Sequence, residues 1–138
     1  MQKIIITLPE LNISAEAVLH KNIAPKTVEA FSSILPIEGK ALHARWCGNE
    51  IWLPLPNLKL ESRENQTILP SPGEILLVDH GGTWDLAIFY GKGWLFSPTG
   101  FLPSNHFATI EYNQLSEFAK AANQLLIQGS KKITLASI

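Results

Sequence analysis

Apolar and polar residues alternate with a period of two along much of the chain, and this pattern predicts mainly β-strands. Residues 3–8 are apolar and rich in β-branched side chains, and residues 13–20 alternate after a break at Pro9. These two segments predict a first hairpin, whose second strand directs Ile13, Ala15, Ala17 and Leu19 to one side. Further strands are predicted over residues 39–46, 51–54, 74–78, 84–90, 106–112 and 131–136.

Two segments change to a helical period. Pro25 suits the first turn of a helix that ends before Pro36, and its apolar positions are Val28, Phe31, Ile34 and Leu35. A second helix ends before Gly129, and its apolar stripe consists of Leu115, Phe118, Ala119, Ala122, Leu125 and Leu126. Both stripes predict helices that pack against the strands.

About eight short strands and two helices in 138 residues indicate a mostly β protein. A sheet of this length must hide its edges, so the pattern predicts a closed antiparallel barrel with two helices, folded as a single domain over residues 1–138. The stretch from Leu55 to Pro72 is rich in proline and asparagine and predicts a long surface loop, a kind of segment that often carries function.

Composition narrows the classes of function. The 11 basic and 12 acidic residues give a formal charge of −1 with no cluster of cations, so no nucleic-acid partner is expected. The apolar run at the N-terminus stops at Pro9, which predicts neither a signal peptide nor a membrane segment. Cys47 is the single cysteine, so a cytoplasmic protein without disulfides is expected.

His43 and Arg45 carry the main functional hypothesis. Alternation over residues 39–46 predicts that Leu42, Ala44 and Trp46 face the core, and that His43 and Arg45 lie on the other face, roughly 7 Å apart. A guanidinium matches a carboxylate, and an imidazole titrates near neutral pH, so the pair predicts a groove for a small polar or anionic ligand. The alternative is structural: Arg45 pairs with an acid such as Glu64, and His43 is a half-buried residue with satisfied nitrogens.

Other polar residues are candidates for the same groove. Glu64, Asn65 and Gln66 lie in the long loop, which is expected to cover the groove. Asn105 precedes His106, and one interpretation is that His106 faces His43 across the mouth of the barrel. The alternatives are an asparagine that satisfies a turn and a histidine that is hydrogen-bonded to backbone.

The histidines and the cysteine predict no metal site and no cofactor. His43, His80 and His106 match no ligand spacing. Cys47 has no base nearby in the sequence, and a small residue at a turn is the simpler interpretation. The four tryptophans favour either a core or a contact between subunits of a homo-oligomer.

Several motifs resemble the cyclophilin superfamily and, more closely, an uncharacterised bacterial family with a cyclophilin-like fold. APKTVEAF, from Ala24, resembles the helix that follows the first hairpin of cyclophilins, and His43-Ala44-Arg45 lies where cyclophilins carry an adjacent His-Arg pair. The bacterial family is matched further by HARWCG, ENQT, PSPGEILL, FYG and NHF. The resemblance implies a cyclophilin-like closed antiparallel barrel.

Three functions remain open at this point. The first is binding of a small polar or anionic metabolite or peptide, with or without catalysis. The second, implied by the resemblance, is peptidyl-prolyl isomerisation, in which Arg45 would donate to the prolyl nitrogen and lower a barrier of about 18–20 kcal/mol. The third is a non-catalytic role as a homo-oligomeric interaction subunit. Whether any reaction is catalysed is left open.

Overall fold

The chain forms a closed antiparallel barrel of eight strands in a computed structural model that describes residues 2–138. The elements are β1 (Lys3–Leu8), β2 (Ile13–Leu19), α1 (Pro25–Ser33), β3 (Ile37–His43), β4 (Gly48–Leu55), β5 (Gln66–Thr67), β6 (Glu74–Asp79), β7 (Trp84–Gly93), β8 (Phe96–Ser97), β9 (Gly100–Phe101), β10 (Ser104–Ile110), α2 (Tyr112–Asn123), α3 (Leu125–Gln128) and β11 (Lys131–Ser137). The predicted mostly β barrel with two main helices is confirmed.

The barrel order is β1, β2, β10, β6, β7, β4, β3 and β11, and the sheet closes where β11 pairs with β1 and β10 pairs with β2. The first hairpin forms as predicted, with a short 3-10 helix over Pro9–Leu11 as its turn. The inward positions of β1 and β2 are apolar because side chains alternate along a strand; they include Ile4, Ile6, Ala15 and Ala17, all at most 1% exposed.

The helices α1 and α2 pack against different strands of the barrel. Helix α1 contacts β10, where the rings of Phe31 and Phe107 are centred 4.8 Å apart. Helix α2 contacts β2 and β7 and buries Phe118 completely. The predicted single second helix is wrong at its end: it breaks at Gln124, and Leu126 is 57% exposed in the short α3. None of the helices within residues 2–138 is long and apolar enough to cross a membrane.

The predicted facing of β3 is also wrong. The strand begins at the buried residue Ile37, so every second residue counted from Ile37 faces the interior. Ala41 is one of these and is fully buried, whereas Leu42 and Trp46 are 39% and 51% exposed. Gly39 lies close to Leu53, where a Cβ atom would stand 3.1 Å from Cδ1. The interior therefore accepts only small residues here, and the larger apolar side chain is directed outward.

The outer face of the barrel carries a second apolar cluster. Between β7 and β10 the chain forms the small hairpin β8–β9. Leu95, just before this hairpin, is buried against outward-facing residues of β6 and β7; the cluster consists of Cys47, Leu76, Val78, Ala87, Phe89 and Leu95. Part of the sheet is thus apolar on both faces.

Candidate functional site

A groove of about 890 Å³ lies on the outside of the barrel, beside the hairpin β8–β9 and the helix α3. We call it the outer groove. Its apolar lining includes Leu42, Trp52, Val78, Leu95, Phe96, Leu102, Leu125 and Leu126. Its ionisable lining consists of His43, Arg45, Cys47, Glu50, His80 and Asp85. No residue of the loop 55–72 lines it, so the expectation that this loop covers the groove is wrong.

Arg45 follows the end of β3, and its side chain is exposed at the groove. The backbone around it is fixed: the Ala44 N–H donates to the Glu50 carbonyl at 2.9 Å, and the Trp94 indole N–H donates to the Trp46 carbonyl at 2.7 Å. Within residues 2–138 the guanidinium of Arg45 has no ion pair, and Glu64 does not reach it. Its charge is therefore available to a ligand.

His43 borders the outer groove, but its ring nitrogens are both engaged. Nδ1 lies 2.8 Å from the carbonyl oxygen of Ala44, and Nε2 lies 2.7 Å from the hydroxyl of Tyr90. The Tyr90 hydroxyl also donates to Asn123 of α2 at 3.1 Å. This geometry matches the structural alternative, in which His43 links β3 to β7 and α2 and keeps the groove wall in place.

Two acids in the outer groove were missed by the sequence analysis. Glu50 faces outward from β4 and is only 6% exposed, and Asp85 faces outward from β7, where its Oδ2 atom lies 3.0 Å from Nε2 of His80. The sequence feature that could have identified Glu50 is its place on the face of β4 opposite to the apolar residues Ile51 and Leu53. A charged residue at such a position is normally exposed to solvent, so its burial was not foreseeable.

Burial is the main cause of the shifted pKa values of Glu50 and Asp85. Desolvation raises the pKa of Glu50 to about 8; the neighbouring Cys47 thiol opposes this rise, and the negative charge of Asp85 adds to it. Desolvation also raises the pKa of Asp85, against the effect of His80. A carboxyl group with a pKa near 8 is mostly protonated at neutral pH, so Glu50 is a neutral hydrogen-bond donor there.

Cys47 lies in the wall as a buried thiol. Its sulfur is 3.1 Å from the carbonyl oxygen of Phe96. Desolvation raises its pKa to about 11, with Glu50 adding to the rise and the contact with Phe96 opposing it. A thiol in this state is a poor nucleophile, which agrees with the interpretation of Cys47 as a small structural residue.

The other predicted site residues lie together in a separate group, which we call the fastening cluster: Glu64, Asn65, Gln66, Asn105 and His106. Glu64 accepts hydrogen bonds from the backbone N–H of Lys26 and from both the N–H and the hydroxyl of Thr27. The residue before α1, Ala24, provides no side-chain cap. Glu64 therefore caps the helix from the long loop.

Asn65 and Gln66 attach the same loop to β10. The amide of Asn65 donates to His106 at its carbonyl and at Nδ1, over 3.0 and 3.2 Å. Gln66 donates to the carbonyl of Pro103 at 3.1 Å. The loop 55–72 is thus bonded to the barrel by its polar residues.

His106 does not face His43, and its contacts match the alternative of a histidine hydrogen-bonded to backbone. Its ring packs edge-on against His20, with centroids 5.2 Å apart, and its Nε2 atom lies 3.0 Å from the carbonyl of Ala108. A register shift in β10 between His106 and Ala108 accounts for the difference, because it changes how side chains project from the strand.

Asn105 is fully buried and joins three segments. Its Nδ2 atom donates to the hydroxyl of Thr27 at 3.2 Å and to the carbonyl of Ser62 at 3.0 Å. It thus holds α1, the loop 55–72 and β10 together. The predicted ligand residues are consequently divided: His43 and Arg45 border the outer groove, and the other five belong to the fastening cluster.

Removal of the Glu64 charge is expected to destabilise the protein. In Glu64→Gln the capping hydrogen bonds and the charge at the helix N-terminus are weakened, at a cost of about 0.5–2 kcal/mol in the free energy of unfolding. Partial burial of Glu64 acts to raise its pKa, but the hydrogen bonds from Thr27 and Lys26 outweigh it and hold the pKa below its usual range.

The sign of the pH dependence follows from that lowered pKa. The stabilisation is present above the pKa of the unfolded chain and is lost as the pH falls through the folded-state value. Urea unfolding at pH 7 and at pH 3 should therefore show a difference between wild type and Glu64→Gln that shrinks in acid. The exposed Glu61→Gln is the matched control. A difference that grows in acid would contradict the capping role.

The described residues offer no clear metal centre: within residues 2–138 no group of three or more His, Cys, Asp or Glu side chains is arranged to hold an ion.

The fold and the outer groove define a class of small closed barrels with an apolar, partly charged groove on the outer surface. Residues 6–137 match a family described as a protein of unknown function, DUF3830, and the chain belongs to this family. No curated protein matches the sequence.

Two solved structures share the fold. The structure of McbB in complex with tryptophan has a TM-score of 0.75 and 18% identity, over 96% of this chain and 44% of McbB. The solution structure of the hypothetical protein AF2241 from Archaeoglobus fulgidus has a TM-score of 0.65 and 19% identity, over 98% of this chain and 93% of that one. The chain thus spans less than half the length of McbB.

Proposed function

We propose that the protein binds a small carboxylate with an apolar body in the outer groove. The observation that carries the proposal is Arg45: an exposed guanidinium with no ion pair within residues 2–138, at the edge of a largely apolar groove. A guanidinium fork pairs with a carboxylate by two parallel hydrogen bonds. The apolar body would lie against Trp52 and Leu95, where its burial contributes further affinity.

The charges of the groove support an anionic ligand. His80 and Asp85 are already paired with each other, and Glu50 is protonated at neutral pH because its pKa is about 8. Arg45 therefore provides the charge of the groove that is not balanced by a neighbour. McbB, whose fold is similar, was solved with tryptophan, which makes indole carboxylates reasonable probes.

A set of three indole compounds tests the proposal. By isothermal titration at pH 7, 3-indolepropionate should bind, tryptophan should bind if the groove admits an ammonium group, and tryptamine, which lacks the carboxylate, should not. Arg45→Ala should weaken binding of 3-indolepropionate roughly ten- to hundredfold, because a charge-assisted hydrogen bond contributes about 1.5–3 kcal/mol.

The exposed Lys40→Ala, in the strand β3 that precedes Arg45, is the matched control and should bind 3-indolepropionate as wild type does. Equal binding of tryptamine and 3-indolepropionate, or an Arg45→Ala variant with unchanged affinity, would exclude the proposed carboxylate site.

The homo-oligomeric subunit stays as a second candidate because of one observation. Leu69, Trp94, Phe96 and Phe101 form a second apolar surface depression, which shares Phe96 with the outer groove. Light scattering of the wild type that finds a monomer at all concentrations would remove this candidate. Kinship with cyclophilins, prolyl isomerisation and a bacterial, cytoplasmic setting remain predictions from the sequence.

A further inference from the structure

Two histidines away from the outer groove share one threonine hydroxyl. Nε2 of His20, in the segment between β2 and α1, lies 2.7 Å from the hydroxyl oxygen of Thr109 in β10. Nε2 of His106 lies 3.1 Å from the same oxygen, and the two rings meet edge-on with centroids 5.2 Å apart. The side chain of His106 is only 14% exposed. The rings therefore depend on protein groups for their hydrogen bonds.

The hydrogen-bond partners of the two rings fix where their hydrogens lie. The side-chain amide of Asn65 donates to Nδ1 of His106 at 3.2 Å, and it cannot be turned because the same nitrogen also donates to the His106 carbonyl at 3.0 Å. Nε2 of His106 faces the carbonyl oxygen of Ala108 at 3.0 Å, so this nitrogen carries the hydrogen. The Thr109 hydroxyl accepts from it and keeps its own hydrogen for Nε2 of His20. Both rings are therefore neutral, with hydrogens on Nε2 of His106 and on Nδ1 of His20.

A second proton on either ring removes one of these hydrogen bonds. On His106 the proton would lie on Nδ1, against the N–H of Asn65, and on His20 it would lie on Nε2, against the hydroxyl hydrogen of Thr109. Two charged rings at 5.2 Å would also repel each other. Burial lowers the pKa of His20, the charge of His106 lowers it further, and Glu74 opposes the change. The neutral form is thus the one that fits this contact.

Within residues 2–138, the charged groups near the two rings do not compensate for two added protons. From β6, Oε2 of Glu74 lies 4.0 Å from Nε2 of His106, and one carboxylate balances only one charged ring. From the loop 55–72, Glu64 caps α1, and its lowered pKa keeps its charge constant in the range where histidines titrate. In the segment before α1, Lys21 is exposed and cationic, so it adds no counter-charge.

The histidine pair holds two segments to β10. The backbone N–H of His20 donates to the Phe107 carbonyl at 2.8 Å just before α1, and Asn65 attaches the loop 55–72 to His106. We propose that His20 and His106 form a pH-sensitive switch, which holds these two segments to β10 while both rings are neutral and releases them when either ring is protonated. None of these residues lines the outer groove, so the switch is independent of the proposed ligand site.

The direction of the pH effect follows from the lowered pKa of His20. Release takes up a proton, so the segments are held fully above the pKa of a histidine in the unfolded chain, about 6.5, and are released progressively below it. Hydrogen exchange followed by NMR should show protection factors at the backbone amides of His20, Ala24 and His106 that fall roughly tenfold from pH 7.5 to pH 5.5. The amide of Ile88 in β7 should keep its protection. Equal protection of the first three amides at both pH values would overturn the proposal.

Glutamine variants separate this pair from the other histidines. A glutamine side chain keeps a donor and an acceptor but does not titrate, so the double variant of His20→Gln and His106→Gln should show the same protection at pH 7.5 and pH 5.5. The exposed His80→Gln is the matched control and should keep the roughly tenfold fall of the wild type. A fall that persists in the double variant, or one that disappears in His80→Gln, would overturn the assignment to this pair.

The tautomers of the wild type test the same inference even where the double variant does not fold. Nitrogen NMR spectra of the imidazole rings at pH 7.5 should place the hydrogen of His106 on Nε2 and that of His20 on Nδ1. A hydrogen on Nδ1 of His106, or a charged ring at this pH, would contradict the proposed switch and would leave the ligand site untouched.

Discussion

Phe107→Ala is expected to lower the free energy of unfolding by about 3–5 kcal/mol, the range for removing a buried aromatic ring. Phe107 is fully buried in β10, and its ring packs at 4.8 Å against that of Phe31 in α1. The substitution leaves a cavity between the helix and the barrel, and the fixed strands around it cannot collapse to fill it. Urea unfolding followed by circular dichroism measures the change.

The matched control for this variant is Phe101→Ala. Phe101 belongs to the surface hairpin β8–β9 and is 56% exposed, so its loss should change the stability by no more than about 0.5 kcal/mol. Phe31→Ala should behave like Phe107→Ala, and the double variant should cost less than the sum of the two because the rings share one contact. Strict additivity would show that the helix is not held by this pair.

Asn105→Ala is expected to cost about 2–4 kcal/mol of stability and to leave ligand affinity unchanged. The substitution removes two hydrogen bonds and leaves the Ser62 carbonyl and the Thr27 hydroxyl short of a donor; a lost bond with an unsatisfied buried partner costs about 1–3 kcal/mol. Thermal unfolding measures the loss, and the exposed Asn57→Ala is the control.

The affinity of Asn105→Ala distinguishes the two roles that the sequence allowed for this residue. Titration with 3-indolepropionate at 15 °C, where the variant is folded, should give the wild-type value, because Asn105 belongs to the fastening cluster and does not line the outer groove. A variant of normal stability that has lost the ligand would instead make Asn105 a binding residue, as the sequence analysis first predicted.

The barrel was predicted correctly because short-range sequence patterns determine where its strands and helices form. The alternation in β2 and the proline at the start of α1 each depend on neighbouring residues only, and each is found where the pattern indicates. The facing of β3 was wrong because Leu42 was assumed to lie in the interior. The hairpin β8–β9 lies against the outer face of the barrel, so an apolar side chain on this part of the sheet can face outward and does not by itself indicate the core.

The site was harder to predict than the fold because it depends on contacts between residues that are far apart in the sequence. The sequence identified Arg45, whose position at a strand end is local, but not Glu50, which lies in a groove that is also lined by Leu95 and Phe96 from much further along the chain. Conversely, Glu64 and Asn105 have the residue types of a binding site, but their bonds to Thr27 give them a structural role. Residue type alone does not distinguish these cases.

The burial of Cys47 has a practical consequence for labelling the protein. Its thiol is 8% exposed and has a pKa of about 11, so alkylating reagents at neutral pH should leave it unmodified. A second cysteine in place of the exposed Thr99, next to groove residues Ser97 and Pro98, would then be the one site that accepts a maleimide dye. A fluorophore attached there would report occupancy of the groove without removal of the native cysteine.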